Sequence, residues 1–324
     1  MKKRTLIQAL GAASLCLLSW GVHADNAYPQ RPLKIIVPST AGSAPDVLIR
    51  LLSEPLSQKL KQPVVVENKA GAGGILAADS VAKAAPDGYT LLVAHDGTMA
   101  INTVMYRNLP YSPLKDFAPV APLAINEFVM IAHPSTGVRT LSDFTAFVRK
   151  ADGKASYASA GVGTPNHVFM ELLLQNVQAP MVHVPYKGGA PAVADVVGGQ
   201  VQFMLAGMAP ALPHIQARKI QAVAVVQGKR SAVLPDVPTM AETLPGFALK
   251  TWFGLFAPAR TPPDVLARLN AELLEILARP EVREKLASQG ITVETGTAQS
   301  LAETVAQDIR RYELLAQKVK LEAN

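Results

Sequence analysis

The chain has 324 residues, 49% of them hydrophobic, a formal net charge of +6 and a single cysteine. A chain of this length exceeds the size at which single cores usually stop growing, so two lobes are expected. Outside the N-terminal segment the basic residues form no run longer than a pair, which argues against a nucleic-acid-binding protein.

The N-terminal segment has the pattern of an export signal. Basic residues at 2–4 precede a mostly apolar stretch over 6–20, and small residues suited to cleavage follow at 22–24. This pattern predicts a signal peptide over 1–24, removed to leave a mature protein that begins near Asp25. A membrane anchor is the competing interpretation, but the apolar stretch is shorter than the roughly 20 residues that a spanning helix needs.

The only cysteine, Cys16, lies inside this leader. The bulky Leu15 before it argues against a lipoprotein processing site, where a small residue is required. Cleavage would remove Cys16 and three basic residues, which lowers the formal net charge from +6 to +3. The mature chain would then have no disulfide, no thiolate chemistry and no cysteine-based zinc site.

Apolar, β-rich runs alternate with helical periodicity through the next part of the chain. The predicted strands cover 33–37, 63–67, 90–94, 127–132, 155–158, 181–184, 202–205 and 222–226. The predicted helices cover 47–60, 74–84, 141–150, 165–175, 190–197 and 210–217. This alternation predicts an α/β protein with parallel sheets covered by crossover helices.

The C-terminal part is predicted to be helical, with helices that begin at Pro262 and Pro280 and a last long helix with an apolar face. We expect these helices to pack back on the first lobe. Lobe 1 would then comprise 25–124 and 246–324, and lobe 2 would comprise 125–245. Two connections, around 117–125 and around 246–257, would cross between the lobes and form a hinge over a cleft.

Two strand-to-helix turns, over 37–46 and 158–165, present small residues where a helix should begin. A helix N-terminus leaves backbone N–H groups unpaired and carries partial positive charge, so small residues there let an anion approach the donors. One such turn in each half of the chain indicates a small acid held from both sides.

Several sequence blocks then resemble a known family. They are Val-His-Val-Pro-Tyr-Lys-Gly-Gly-Ala-Pro over 182–191 with Asp195 and 198–201, and the blocks over 66–74, 86–92 and 234–239. Together they resemble the periplasmic solute-binding proteins of tripartite tricarboxylate transporters, also called the Bug family, over essentially the whole mature chain. The resemblance implies a type II periplasmic-binding-protein fold, in which two α/β lobes joined by two crossing segments close on a small carboxylate or related solute.

The resemblance also implies that the protein works in the periplasm as a monomer, without cofactor or metal, and delivers its solute to the membrane permease subunits of such a transporter. It places ligand contacts in the loop after the first strand, in the segment after the third strand, in the turn near 160 and in the loop near 186. Carried over by position, these residues are Ser39, Thr40, Ala41, Gly42, Ser43, His95, Gly97, Thr98, Ser159, Ala160, Gly161, Gly163, Thr164 and Tyr186.

Two departures from the family pattern concern the solute. The first loop lacks the usual phenylalanine and gains the hydroxyls of Ser39 and Ser43, so an aromatic wall is lost and a more polar or bulkier solute is expected. Ala206, a further candidate contact, stands where many relatives carry an aspartate that could pair with an amino group. We therefore expect a ligand that is not an amino acid.

Some residues admit more than one interpretation. His95 and Asp96 could be half of a catalytic pair, but neighbours on an extended chain point to opposite sides, which favours lining or capping of the cleft. The Thr164 hydroxyl could cap a helix or meet the ligand. For His167 a structural role is preferred to ligand contact, and His183 is expected to be a satisfied core histidine in a buried strand.

Enzyme signatures are absent from the sequence. There is no Gly-x-Ser-x-Gly elbow, because Ser159 stands ahead of its glycines, and there is no P-loop, dinucleotide fingerprint or histidine pair for zinc. The leading hypothesis is thus a solute-binding receptor. A ligand sensor that docks on a membrane histidine kinase and a periplasmic enzyme acting on a carboxylate are the alternatives.

Overall fold

The computed structural model describes residues 28–318, which form a mixed α/β protein with two sheets. The predicted leader lies outside the described residues. The two sheets confirm the predicted α/β fold class with two sheet-containing lobes.

The first sheet has six strands in the order β11-β4-β10-β3-β1-β2. Its strands are β1 (Leu33–Val37), β2 (Val64–Asn68), β3 (Thr90–His95), β4 (Phe117–Asn126), β10 (Trp252–Pro258) and β11 (Ile291–Val293). Strands β2, β1 and β3 are parallel, whereas β10 runs antiparallel to both β3 and β4, and β11 runs antiparallel to β4.

The second sheet has five strands in the order β7-β6-β8-β5-β9. Its strands are β5 (Phe128–Ala132), β6 (Ser156–Ser159), β7 (Val182–Pro185), β8 (Phe203–Gly207) and β9 (Gln221–Val225). Strands β7, β6 and β8 are parallel, and β5 is antiparallel to β8 and β9. Within the described residues, the prediction of parallel sheets is therefore wrong for three of the five strand pairings of the first sheet and for two of the four of the second. In these pairings, strands from distant parts of the chain complete the sheet.

Helices cover these sheets and begin close to their predicted positions. They are α1 (Ala44–Leu60), α2 (Ile75–Ala82), α3 (Asn102–Met105), α4 (Leu141–Ala151), α5 (Pro165–Val177), α6 (Gly189–Val197), α7 (Met208–Gln216), α8 (Pro263–Ala278), α9 (Pro280–Ala287) and α10 (Ala298–Lys318). A π-helical turn over Gly97–Ile101 leads into α3. Helices α8 and α10 pack on β4 of the first sheet. Within the described residues, no helix combines the length and apolar character needed to cross a bilayer.

The segments predicted as crossings, 117–125 and 246–257, instead belong largely to the paired strands β4 and β10. Prolines at 119 and 122 favoured a connection, because proline cannot donate to a ladder. The pairing of β10 with β4 shifts register twice alongside these prolines, and Asn270 donates to the carbonyl of Val120. The strand can form at these prolines because its pairing is irregular there and the Asn270 side chain supplies a hydrogen bond to its backbone.

One residue, Glu127, separates β4 of the first sheet from β5 of the second. The side chain of Gln227 hydrogen-bonds to the backbone on both sides of Glu127. Its amide oxygen accepts from the Phe128 N–H (3.1 Å), and its amide nitrogen donates to the Asn126 carbonyl (3.3 Å). The second connection between the sheets runs from β9 to β10. Glu127 itself accepts from Ser231 and from Thr292, so the junction is tied to both sheets.

Candidate functional site

A cleft of about 520 Å³, measured out to its open mouth, lies between residues carried by the two sheets. From the first sheet and its helices it is lined by Pro38, Ser39, Ser43, Ala44, Pro45, His95, Asn126, Thr251 and Phe253. From the second sheet and its helices it is lined by Phe128, Ala160, Thr164, Pro165, Asn166, Gly189, Gly207 and Pro210. None of these lining residues is Lys, Arg, Asp or Glu.

Four helices direct their N-terminal ends at this cleft. Helices α1 and α5 contribute their first residues, α6 contributes Gly189 at its first position, and α7 contributes Gly207 and Pro210. The partial positive charges of four helix ends therefore converge on one space from both sides. The site can attract a negative charge without any basic side chain of its own.

The first loop is held rigidly by Asp46. Its carboxylate accepts hydrogen bonds from the Gly42 N–H (2.9 Å), from Arg50 Nε (3.0 Å) and from Asn68 Nδ2 (2.8 Å). Burial raises the pKa of Asp46, but the hydrogen bonds from Arg50, Gly42 and Asn68 outweigh it and leave this pKa below its ordinary value. The charged carboxylate thereby fixes the turn that presents Ser39 and Ser43 to the cleft.

The turn of the second lobe is fixed by its own hydroxyls. The Ser159 hydroxyl accepts from the Gly161 N–H (3.1 Å) and shares a 2.6 Å hydrogen bond with His183 Nε2. The Thr164 hydroxyl donates to the Gly161 carbonyl (2.6 Å) and makes no capping bond to α5. Of the two roles considered for the Thr164 hydroxyl, helix capping is not observed, because the hydroxyl closes the turn instead.

A stack of rings supports this turn from behind. The His183 ring lies 4.8 Å from the Tyr157 ring and 4.2 Å from the His167 ring, in near-parallel planes. Burial lowers the pKa of His167 to about 4, and burial together with the His167 ring lowers the pKa of His183 to about 3. Both rings are thus neutral near pH 7. Strand β7, predicted to be buried, is an edge strand, and His183 is half-buried there.

His95 and Asp96 lie on opposite sides of the end of β3. His95 lines the cleft, whereas the fully buried Asp96 accepts hydrogen bonds from Thr251 and Tyr312 behind it. Burial raises the pKa of Asp96 to about 7, and the Asp308 carboxylate adds to the rise, although hydrogen bonds from Thr251 and Tyr312 oppose it. A buried carboxyl group therefore lies directly beneath the cleft wall.

The lobes touch beside the cleft. The Ala190 N–H donates to the Ser43 hydroxyl (3.2 Å), and the Tyr106 hydroxyl donates to the Val162 carbonyl (3.2 Å). Gly73 lies so close to Val162 that a Cβ added to Gly73 would stand 2.4 Å from that carbonyl oxygen. These contacts join the rims of both lobes, as in a closed form.

Five of the predicted contact residues line the cleft: Ser39, Ser43, His95, Ala160 and Thr164. The other predicted contact residues are not part of the cleft lining, and two of them, Ala41 and Gly42, are exposed to solvent. The residues outside the lining are Thr40, Ala41, Gly42, Gly97, Thr98, Ser159, Gly161, Gly163, Tyr186 and Ala206.

Two of these placements correct the sequence analysis. Ala206 is fully buried in an apolar cluster of the second lobe, because its side chain points away from the cleft, and the next residue, Gly207, lines it. The phenol of Tyr186 donates to Asp195, and burial together with this carboxylate raises the pKa of Tyr186 to about 12. The phenol is thus already engaged within its own lobe.

Sequence reasoning missed several lining residues. No strand was predicted where three of them lie. Asn126 is the last residue of β4, Thr251 directly precedes β10, and Phe253 lies on β10. Phe128 and Phe253 are among the lining residues, so aromatic residues border the cleft although the first loop lacks its phenylalanine. Other missed residues did have a signal. Asn166 lies in the first turn of a predicted helix, and Pro38, Ala44, Pro45 and Pro165 lie within the two small-residue turns.

Taken together, a cleft between two α/β lobes, lined by helix ends and by no charged side chain, defines a two-lobed solute-binding protein. Among the described residues no cluster of three or more His, Cys, Asp or Glu is arranged to hold a metal ion.

Comparison with known proteins identifies the family. A family model described as the tripartite tricarboxylate transporter family receptor matches residues 48–321. A UPF0065 protein of Pseudomonas sp. (strain P51) is 38% identical over 92% of this chain and 89% of its own length, and the protein BugT of Bordetella pertussis is 36% identical over 90% of each. The chain therefore belongs to the tripartite tricarboxylate transporter receptor family, as its sequence blocks predicted.

Solved structures agree with this assignment. The periplasmic binding protein BugD is 34% identical with a TM-score of 0.88, covering 91% of this chain and 99% of BugD. MatC from Rhodopseudomonas palustris, solved with malate, is 36% identical with a TM-score of 0.85, over 88% of this chain and 99% of MatC. An R. palustris protein solved with adipate is 31% identical with a TM-score of 0.87, over 90% of this chain and 97% of that protein.

Proposed function

We propose that this receptor captures a small organic acid in the cleft between its lobes, closes over it and delivers it to the membrane permease of a tripartite tricarboxylate transporter. The observation that carries the proposal is the convergence of four helix N-termini on a cleft without charged side chains. Malate and adipate, the acids bound to two relatives, both carry carboxylates of the kind that such helix ends stabilise.

The absence of an acidic lining residue supports the expectation that the ligand is not an amino acid. An ammonium group in this cleft would lack a carboxylate partner, and burying an unpaired charge is costly. A carboxylate instead finds helix ends and the hydroxyls of Ser39 and Ser43. Apolar walls from Phe128 and Phe253 would enclose the carbon chain of the acid.

Ligand-driven closure requires that the closed form bind the acid more tightly than the open form does. The loops over 39–43 and 159–164, on opposite lobes, would supply this difference, because both can reach the ligand only when the cleft is shut. We propose that the lobes comprise 25–124 with 246–324 and 125–245, and that they hinge at Glu127. The Ser159–His183 pair is proposed to brace its turn and not to act on the ligand.

A thermal-shift screen of mono-, di- and tricarboxylates, aromatic acids and amino acids tests the proposal. An acid at about 100 times its Kd should add roughly 2.7 kcal/mol to the free energy of unfolding. Gly189→Leu should abolish the shift, since a Cβ at Gly189 has only ordinary contacts, the nearest with Ser43 and Pro210, and the longer side chain would fill the cleft.

The matched control is Gly228→Leu, outside the cleft lining, which should keep the shift. A carboxylate response that survives in Gly189→Leu, or no response to any acid in the unmodified protein, would refute the proposal.

Export and delivery are tested separately. We propose that residues 1–24 are removed during export to the periplasm, so mass spectrometry of the exported protein should give a mass that begins at Asp25. Deletion of the gene should abolish uptake of the acid that binds best, and uptake should be as weak when the permease subunits are deleted instead. Normal uptake without the permease would point to the sensor alternative.

A further inference from the structure

The side chain of Asn126 is a buried amide that lines the cleft with an unsatisfied oxygen. Asn126 is only 5% exposed, and among the described residues Oδ1 has no hydrogen-bond partner. Its backbone is fully engaged, because its N–H donates to the Thr251 carbonyl (3.1 Å) and its carbonyl accepts from Gln227. The backbone at Asn126 is thus held in place, and the side-chain amide has hydrogen-bonding capacity left for something that enters the cleft.

His95 presents a second unsatisfied polar group in the same cleft. It is 9% exposed, and its Nδ1 is buried without a hydrogen-bond partner among the described residues. The ring makes an edge contact with Phe253, with centroids 6.4 Å apart. Burial lowers the pKa of His95 to about 4, so near pH 7 the neutral ring offers one donor and one acceptor.

Sheet pairing places these two residues on either side of β10. His95, at the end of β3, pairs with Phe253, and Asn126, at the end of β4, bonds to Thr251 two residues earlier. Strands β3 and β4 are separated only by β10, so their backbones lie roughly 10 Å apart. Both residues line the cleft, which gives a small polar group of a ligand room to lie between their two strands.

The chemistry of the two groups limits what that polar group can be. A carboxylate only accepts hydrogen bonds, so it would leave Asn126 Oδ1 unsatisfied. An ammonium group could donate to Oδ1 but would find no carboxylate among the lining residues. A hydroxyl can donate to Oδ1 and also accept from or donate to the imidazole ring.

We propose that Asn126 and His95 select a hydroxylated carboxylic acid, whose hydroxyl lies between their side chains while its carboxylate meets the helix ends. This inference rests on the proposed function, since it names the class of acid that the same cleft binds. The residues act as specificity determinants, because a buried polar group that loses its partner penalises the analogue without a hydroxyl.

Calorimetric titration with matched acids tests the inference. The pairs are lactate and propionate, malate and succinate, and 2-hydroxyglutarate and glutarate. In the pair that fits the cleft, the hydroxy acid should bind about tenfold more tightly or better than its partner without the hydroxyl. Asn126→Leu should bring the two within about twofold by weakening only the hydroxy acid, and His95→Phe should act in the same direction.

Two further variants distinguish loss of the proposed contact from misfolding. Asn126→Asp keeps an acceptor oxygen but adds a negative charge, so it should weaken both acids and preserve their ratio. Asn176→Ala, which removes an amide bonded to its own helix, should change neither affinity. Thermal unfolding of each variant checks the fold.

Equal binding of hydroxy and plain acids by the unmodified protein would overturn the inference and leave the carboxylate receptor intact. A preference for the hydroxy acid that survives in Asn126→Leu would also overturn it. No binding by any acid would overturn both proposals.

Discussion

The hydroxyl of Ser43 accepts a hydrogen bond from the backbone N–H of Ala190 across the cleft, at 3.2 Å. Ser43 precedes α1 in the first lobe and Ala190 is the second residue of α6 in the other. A residue that lines the cleft therefore also joins the two lobes.

Ser43→Ala should weaken binding of the best acid by about two- to tenfold, the worth of one net hydrogen bond. The loss arises because the closed form is less stable when the Ala190 N–H has no acceptor. Calorimetry measures the change. Ser53→Ala on the exposed side of the same helix is the control, and an equal loss in both variants would contradict the role of Ser43 in closure.

Gly73→Ala should hinder closure. An added Cβ would stand 2.4 Å from the Val162 carbonyl oxygen of the other lobe, so we expect the affinity for the acid to fall by about tenfold or more, because such overlap forces the rims apart. Gly137→Ala is matched to it, since Gly137 has a similar φ of +70° but open space around it. Comparable binding by the two variants would exclude a steric effect at the rim.

Gln227→Met should destabilise the junction between the lobes. It leaves the Phe128 N–H and the Asn126 carbonyl without the Gln227 amide, at a cost of about 1–3 kcal/mol in the free energy of unfolding. Urea unfolding measures this cost. Gln58→Met, which removes an exposed amide bonded to Glu54, should change stability by no more than about 0.5 kcal/mol. A similarly small effect at Gln227 would show that water replaces its amide.

Asp96 should make stability fall as pH rises from about 4 to about 7. Its raised pKa of about 7 means that in this window the folded chain holds a proton that the unfolded chain has released, so the free energy of unfolding decreases with pH. Asp96→Asn should remove this contribution. In thermal unfolding between pH 4 and 8, the Tm of the unmodified protein should therefore fall relative to the Tm of the variant as the pH rises.

The control for Asp96 is Asp264→Asn, an exposed position on α8. Its Tm should follow that of the unmodified protein across the same pH range. A constant difference between the unmodified protein and Asp96→Asn would mean that the carboxyl does not titrate within this window.

The histidine stack should have the opposite effect. The lowered pKa values of His167 and His183, about 4 and about 3, mean that below about pH 6.5 the unfolded chain binds protons that the folded chain does not. This contribution to stability is therefore lost as pH falls from about 6.5 towards 4.

His167→Phe should keep a ring in the stack and reduce the acid-induced fall in Tm, which thermal unfolding measures. His214→Gln, at the C-terminal end of α7, should leave the fall unchanged. If His167→Phe loses Tm with acid as steeply as the unmodified protein does, the stack is not the source of the pH dependence.

Local residue patterns were enough to predict the family, the α/β class and most helices and strands. Apolar runs such as Leu33–Val37 and helix starts such as Pro165 are local patterns, because period and capping chemistry act over a few residues. The two small-residue turns could be recognised in the sequence for the same reason. The cleft lining includes four residues of these turns: Ser39, Ser43, Ala160 and Thr164.

The remaining residues of the cleft wall could not be predicted from local patterns, because long-range strand pairing brings them together. Asn126, Thr251 and Phe253 meet because β10 inserts antiparallel between β3 and β4, a pairing between segments more than a hundred residues apart that no local period encodes. Likewise, Ala206 and Gly207 are neighbours in sequence, but alternation along β8 sends one side chain into the core and leaves the other residue at the cleft. Local sequence patterns account for the helices and strands, whereas the pairing of distant strands determines which residues line the cleft.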